Sequence, residues 1–213
     1  VREITHRLEE EGVPIVASMI TTLQGFARKV FFDTATVETL IPDAESRLIL
    51  ADILAANAAR FPLLVGAGAV GELATLFSVV IMRKVNYPDA LGDLQSAKSA
   101  EIGALFDAYL RFLEDHNLVD GSTLFARATR QLIRTGARPR TVFIYGLFEP
   151  MPCEQDLILA LRESADEFHY ALPFAENPAV FTDDGNWLHP DTVIAGERRS
   201  SLANLFSRRE PWD

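Results

Sequence analysis

The sequence predicts an α/β domain that is interrupted by a large all-helical insertion. Short runs rich in Val, Ile and Phe lie near both ends of the chain, at residues 13–20 and 141–145, and a helical pattern follows each of them. Between them, about ninety residues carry apolar side chains at spacings of three and four, which is the period of a helix. Strands that alternate with helices indicate a parallel sheet with crossovers, so the long helical stretch is interpreted as an insertion into that sheet.

The first predicted elements are a helix, a strand and a second helix. Residues 1–11 carry apolar side chains one turn apart, and Gly12 stands where a helix commonly ends. Residues 13–20 are rich in Val and Ile, which favours a strand. Thr21 or Thr22 can then cap the next helix through its hydroxyl group.

The central block, residues 43–131, is helical in pattern almost throughout. Turn-forming sequences interrupt it at residues 61–62, 86–89 and 119–122, where Pro, Gly, Asn and Asp are concentrated. These breaks predict a block of four or five helices.

After the central block the pattern returns to strands and helices. Residues 141–145 form a nearly continuous apolar run, which is typical of a buried parallel strand. A helix is predicted over residues 152–163, and a last strand over residues 168–172 is closed by Pro173.

These elements divide the chain into four segments. Residues 1–42 begin the α/β domain, residues 43–137 form the helical inserted subdomain, residues 138–181 return to the α/β domain, and residues 182–213 are unassigned. Because the sequence opens at Val1 within a predicted helix, we expect a fragment of a longer protein.

The formal net charge of -10 argues against a chain that binds nucleic acid over most of its surface. Local basic patches are present nevertheless. The strongest has five arginines and a single acid between residues 120 and 140, namely Arg127, Arg130, Arg134, Arg138 and Arg140. A second consists of the doublets at residues 198–199 and 208–209. Each patch is either a site for phosphate groups or the ordinary solvated face of a helix or tail.

Composition and motifs disfavour several classes of protein. The single Cys153 cannot form an internal disulfide, and no run of about twenty apolar residues predicts a transmembrane helix, so we expect a cytoplasmic protein without a membrane partner. The histidines are scattered without a His or Cys partner at ligand spacing, so no metal site is predicted. Neither a GxSxG elbow nor a GxxxxGK[ST] phosphate loop occurs in the sequence.

Residues 66–71 match the dinucleotide-binding pattern GxGxxG through Gly66, Gly68 and Gly71. In that motif the glycines follow a strand and admit a pyrophosphate group to a helix N-terminus. Here only three apolar residues precede the glycines, and Pro62 interrupts the run. We favour a helix start whose small residues pack closely on their neighbours; the alternative is a nucleotide-cofactor site.

The most informative motif is the sequence VFIYGLFEPMPCE at residues 142–154. An apolar strand leads into a turn and a helix that begins near Pro152, which resembles the second motif of UvrD-like superfamily-one helicases. In those helicases the strand ends in an Asp-Glu pair, whereas this chain has Tyr145 and Gly146. The arrangement is similar to that of AddB-type subunits of ATP-dependent helicase–nucleases, in which this motif is inactivated, and the resemblance covers residues 1–181.

Other segments agree with this resemblance in their order along the chain. Residues 2–12 look like the helix after the family's Walker A region, and residues 98–120 look like the helix pair before the second motif. Residues 22–27 are similar to the family's Thr-Phe-His-Ser-Phe-Ala loop, which touches single-stranded DNA, with Gln24 in place of the His. Residues 169–174 resemble the AddB-type ending.

The resemblance implies a partial RecA-like parallel sheet with a helical insertion, as in helicase domains 1A and 1B. The family's Asp holds Mg²⁺ and its Glu orients the attacking water, so Tyr145 and Gly146 imply a chain that does not hydrolyse ATP. Weak binding of single-stranded DNA is implied through Thr22, Gln24 and the arginines of the patch at 127–140, together with a helicase–nuclease partner subunit. No cofactor is expected in this fragment, since one cysteine cannot hold the iron–sulfur cluster of the family's nuclease domain.

Three alternatives stay open. The chain could be a piece of an active superfamily-one helicase whose missing motifs lie outside it, or a nucleotide-cofactor enzyme built around residues 66–71. It could also be a protein-interaction domain without a role in nucleic-acid binding, which the net charge of -10 favours. The helicase-like interpretation expects Tyr145 at the C-terminal end of a central strand, where ligands bind in open α/β sheets.

Overall fold

A computed structural model of the chain describes residues 20–34, 37–66, 68–85, 96–147 and 149–171. In chain order the elements are α1 (Leu23–Asp33), β1 (Thr39–Leu40), α2 (Asp43–Ala56), α3 (Ala69–Met82), α4 (Ala97–Asp115), β2 (Leu118–Val119), α5 (Leu124–Thr135), β3 (Thr141–Tyr145), α6 (Pro152–Ser164) and β4 (Glu167–Ala171). Over these residues the fold is mixed α/β and mostly helical, with six helices and two small parallel sheets. The helix predicted at 1–11, most of the strand at 13–20, the turn at 86–89 and the segment 182–213 lie outside the described residues.

Helix α1 begins where the sequence predicts a capped helix. The Thr22 hydroxyl oxygen accepts a hydrogen bond from the backbone N–H of Gly25 at 3.0 Å, which satisfies one of the free donors of the first turn. Ala27 and Phe31, one turn apart, are buried, so α1 has one apolar face that packs on α5.

The three helices α2, α3 and α4 share the first of two hydrophobic clusters. Phe77 of α3 is at its centre, with its ring 4.9 Å from that of Phe106 and 6.1 Å from that of Tyr109, both on α4. Helix α4 begins at a reciprocal cap in which Ser96 and Ser99 each accept a hydrogen bond from the other's backbone N–H. The predicted helical block is therefore confirmed over the described residues.

The short strands β1 and β2, which the sequence does not predict, bracket this helical cluster. Thr39 pairs with Leu118 and Leu40 with Val119 in parallel register. The backbone N–H of Ile41 donates to Val119 at 2.8 Å and continues the pairing by one hydrogen bond. The chain therefore enters and leaves the helical cluster at neighbouring positions.

A second hydrophobic cluster joins α1, α5 and α6, with Leu124, Ala128 and Leu132 supplying the buried face of α5. Helix α5 ends at Gly136, whose φ of 60° is the left-handed conformation that commonly closes a helix. The predicted boundary at residue 137 falls just after this end, whereas side-chain packing changes from the first cluster to the second within β2, between Leu118 and Val119.

The second sheet pairs β3 with β4 in parallel, and α6 connects them. These elements confirm the predicted strand at 141–145, the predicted helix that begins near Pro152 and, over the described residues, the predicted last strand. The prediction that the strand at 141–145 is buried on both faces is wrong. Val142 packs on the second cluster, whereas Phe143 and Tyr145 on the opposite face are 50% and 49% exposed. Tyr145 ends its strand as expected; its expected central position is not seen among the described residues, where β3 pairs only with β4.

None of the described helices is both long enough and apolar enough to span a membrane.

Candidate nucleic-acid interface

The predicted basic patch lies on α5 and on the segment that connects α5 to β3. Arg127, Arg130 and Arg134 are three and four residues apart, so they share one side of the helix, away from its buried face. Arg130 and Arg134 are exposed, and so are Arg138 and Arg140 beyond the helix end. We call these four residues, Arg130, Arg134, Arg138 and Arg140, the basic surface.

Arg127 forms an ion pair within the fold. Its Nε atom lies 3.1 Å from an Oε1 atom of Glu38, and the two side chains are only 27% and 15% exposed. A half-buried ion pair of this kind largely neutralises the charge of Arg127 toward an incoming phosphate. The expected contribution of Arg127 to phosphate binding is therefore smaller than that of its neighbours.

Thr22 and Gln24 lie at the start of α1, in a different part of the surface. Both are exposed, and the Thr22 hydroxyl already caps the helix. Gln24 lines a cleft of about 480 Å³ between α1, α2, α3 and the turn before α5. The cleft also contains Asp43, Asp120 and Glu154, with Arg47 as its basic side chain, so its charge disfavours a phosphate.

The structure therefore separates the predicted DNA-binding residues into two places. The cleft of Gln24 reaches Phe125 at the beginning of α5, whereas Arg134 occupies its last turn. Nine residues of helix correspond to about 14 Å along its axis. A single strand can follow the basic surface without reaching Gln24.

Asp120 forms a buried polar network in the turn before α5. Asp120 is only 6% exposed. One of its carboxylate oxygens accepts hydrogen bonds from the backbone N–H and hydroxyl groups of Ser122 and Thr123, at 2.8 to 3.1 Å. The other oxygen accepts one from the Tyr109 hydroxyl at 2.6 Å. Burial, followed by the charge and hydrogen bond of Asp120, raises the pKa of Tyr109 above its ordinary range. This network ties α4 to the beginning of α5.

Tyr145 and Gly146 lie at the end of β3. Tyr145 is half-exposed and Gly146 turns the chain with a φ of 69°. The acid Glu154 is used as a cap, because its Oε2 atom accepts a hydrogen bond from the backbone N–H of Met151 at 2.8 Å. Over the described ranges, no group of three or more His, Cys, Asp or Glu residues is arranged to hold a metal ion.

The glycines of the GxGxxG match begin α3, but their role differs from the predicted one. A Cβ atom added at Gly66, Gly68 or Gly71 would meet no heavy atom within 4 Å among the described residues, so close packing is not what requires them. Gly68 is the N-cap of α3 and has a φ of 85°, a conformation that favours glycine. The described residues before it, 57–66, form turns and a bend, so the described chain lacks the strand of a dinucleotide-binding motif at this point.

Two glycine substitutions are expected to have opposite effects on stability. Gly68→Ala should lower the free energy of unfolding by about 1 kcal/mol, because alanine is strained at positive φ. Gly71→Ala, in the first turn of the same helix and with open space around it, should raise it by about 0.5 kcal/mol. Urea unfolding followed by circular dichroism measures both, and a destabilised Gly71→Ala variant would restore the close-packing interpretation.

Sequence patterns miss two features of this region. Glu38 is far from Arg127 along the chain, so no helical spacing indicates their ion pair. Val142 and Ile144 alternate with Phe143 and Tyr145 along β3. All four side chains are apolar, so the sequence does not show that the two faces of the strand differ in exposure.

The candidate residues thus lie in three places: the basic surface on α5 and its extension, the exposed end of β3, and the separate cleft of Gln24. The elements that carry the basic surface and Tyr145 pack on the second hydrophobic cluster. The cleft of Gln24 is lined by residues of both clusters. Comparisons of the chain with protein-family models, with curated proteins and with solved structures found no match.

Proposed function

We propose that this chain is a non-catalytic, helicase-like module that binds single-stranded DNA weakly and acts as a scaffold in an AddB-type helicase–nuclease subunit. Its role would lie in the repair of double-strand breaks and in recombination, together with a partner subunit. The observation that carries the proposal is the end of β3, where Tyr145 and Gly146 stand between a parallel strand and helix α6. Neither residue has a carboxylate for Mg²⁺ or for a water molecule.

The finer architecture belongs to the same proposal. The second hydrophobic cluster and the β3–β4 sheet would be part of a RecA-like domain, and α2, α3 and α4 would be its helical insertion. The pairing of β1 with β2 supports this, because an inserted segment leaves its host domain close to the point where it entered. The parallel β3–α6–β4 unit is likewise the basic repeat of an α/β sheet.

DNA binding is supported by the basic surface. Its four guanidinium groups lie on one helix face and the adjoining segment, where phosphates can approach from solvent. The net charge of -10 repels a strand at long range. Salt screens such repulsion beyond about 8 Å at physiological ionic strength, so close contacts retain most of their strength. Weak, salt-dependent binding without base readout by the arginines is the expected result.

The test is a fluorescence-anisotropy titration of a labelled single strand at several salt concentrations. Each phosphate contact adds about 0.7 to the log–log salt slope on single strands, so Arg130→Ala with Arg134→Ala should flatten the slope by about 1.4. The matched control is Arg111→Ala, an exposed arginine on α4. Gln24→Ala removes no charge and should change the slope less.

Two results would contradict the proposal. One is the absence of binding by the unmodified chain at low salt. The other is a double arginine variant whose slope equals that of Arg111→Ala, which would make the basic surface an ordinary solvated helix face.

A further inference from the structure

We propose that the outer face of the β3–β4 sheet is a platform on which bases of a single-stranded nucleic acid stack. The ligand class rests on the proposed function, whereas the site itself rests on the geometry of Phe143, Tyr145 and His169. None of these three residues belongs to the basic surface.

The strand register creates the platform. Thr141 pairs with Glu167, Phe143 with His169 and Tyr145 with Ala171, so these six side chains stand on one face of the sheet. Val142 and Phe168 stand on the other face and pack on the second cluster. Since the inner face is anchored, the outer rings are held in place while remaining half-exposed.

Three rings, those of Phe143, Tyr145 and His169, lie on this outer face. Phe143 and His169 are stacked across the two strands, with ring centroids 4.6 Å apart and planes inclined by 12°. Tyr145 is two residues further along β3, which corresponds to about 7 Å. The Phe143–His169 stack and the Tyr145 ring are therefore two neighbouring aromatic surfaces on which bases can stack. Aromatic rings on a sheet face are a recurrent way of holding unpaired bases.

Charge favours a nucleic acid over an apolar partner on this face. Arg138 and Arg140, both exposed, directly precede β3, so the basic surface leads to the platform. The acid on the face, Glu167, accepts a hydrogen bond from the Thr141 hydroxyl at 3.2 Å. That pair stands at the beginning of the strands, whereas the proposed base site is at their end. The outer positions hold rings and small or polar side chains, and no branched aliphatic side chain is among them.

The experiment compares a fluorescein-labelled oligodeoxythymidine with an abasic strand of the same length, both titrated against the full chain. Phe143→Ala and Tyr145→Ala should each weaken binding of the oligodeoxythymidine by about 5- to 100-fold, which is the usual effect of losing one stacked base. The salt slope should stay unchanged because no charge is removed. Tyr145→Phe keeps the ring and should keep the affinity.

A matched control is Phe32→Ala, which removes a ring that is 67% exposed on α1. It should leave binding unchanged, and urea unfolding should show that the Phe143 and Tyr145 variants remain folded. The unmodified chain should bind the abasic strand about as weakly as the Phe143→Ala variant binds the oligodeoxythymidine.

The outcomes separate the platform from the function on which it rests. Equal binding of both strands by the unmodified chain, or full affinity in the Phe143 and Tyr145 variants, would overturn the platform and leave weak phosphate binding intact. Failure to bind either strand at low salt would overturn the platform and the proposed function together.

Discussion

Asp120→Ala should lower the free energy of unfolding by about 3 kcal/mol, because the buried carboxylate accepts several hydrogen bonds that are lost with it. Removing it leaves the Tyr109 hydroxyl without its acceptor. It also leaves the N–H groups of Ser122 and Thr123, in the turn before α5, without their acceptor. Urea unfolding followed by circular dichroism measures the change.

The matched control is Asp107→Ala, an exposed aspartate on α4 that should change stability by less than about 0.5 kcal/mol. Tyr109→Phe should cost about 1 kcal/mol, and the double variant should cost less than the sum of the two single ones because the residues share a hydrogen bond. An Asp120→Ala variant as stable as Asp107→Ala would show that the network contributes little.

The same network predicts a loss of stability in alkali. Burial and Asp120 raise the pKa of Tyr109 above its ordinary value of 10.0, so the folded chain keeps a proton that the unfolded chain releases. The stabilisation is complete below pH 10.0 and decreases as the pH rises beyond it. Tyr109→Phe should remove this part of the pH dependence in urea unfolding at pH 9 to 11, conditions chosen to span roughly the ordinary tyrosine pKa.

Phe77→Ala is expected to lower the free energy of unfolding by about 4 kcal/mol, since it opens a cavity at the centre of the first hydrophobic cluster. The ring is 1% exposed and contacts the rings of Phe106 and Tyr109. Leu76→Ala, at a neighbouring position that is 37% exposed, should have a much smaller effect.

This variant also tests whether the two clusters unfold together. Cys153 is the single cysteine of the chain, lies buried in the second cluster, and donates a hydrogen bond to the Ile81 carbonyl oxygen of α3 at 3.2 Å. In Phe77→Ala, thiol labelling of Cys153 and loss of helical signal should share one urea midpoint. A labelling midpoint well above the helical one would mean that the first cluster unfolds alone.

The elements with strong local signals are those that sequence patterns predict well. Thr22 marks the beginning of α1, and Pro152 marks the beginning of α6, because caps and proline act within a few residues. Strand β3 is predicted from its apolar run. By contrast, β1 and β2 have two residues each, too few for any periodicity, and they exist only because distant segments meet.

The candidate site is less predictable for the same reason. The spacing of Arg130 and Arg134 places them on one helix face in advance of any structure, since it depends only on helical geometry. The pairing of Arg127 with Glu38 depends on tertiary packing, and so does the exposure of Phe143. The glycine pattern misleads because turns at positive φ and dinucleotide-binding loops both require glycine.

The β1–β2 pairing has a consequence for how the chain assembles. It joins residues about 80 positions apart, whereas the β3–β4 pairing joins residues about 26 positions apart. The entropic cost of closing the longer loop is therefore greater by about 1 kcal/mol. Two residue pairs are too few to offset the entropic cost of closing this loop, because isolated two-stranded sheets are only marginally stable even when their strands are longer. The β3–α6–β4 unit can form from local contacts, whereas we expect β1 and β2 to meet only after α2, α3 and α4 have condensed between them. The smaller sheet is thus a product of helix packing and cannot be its template.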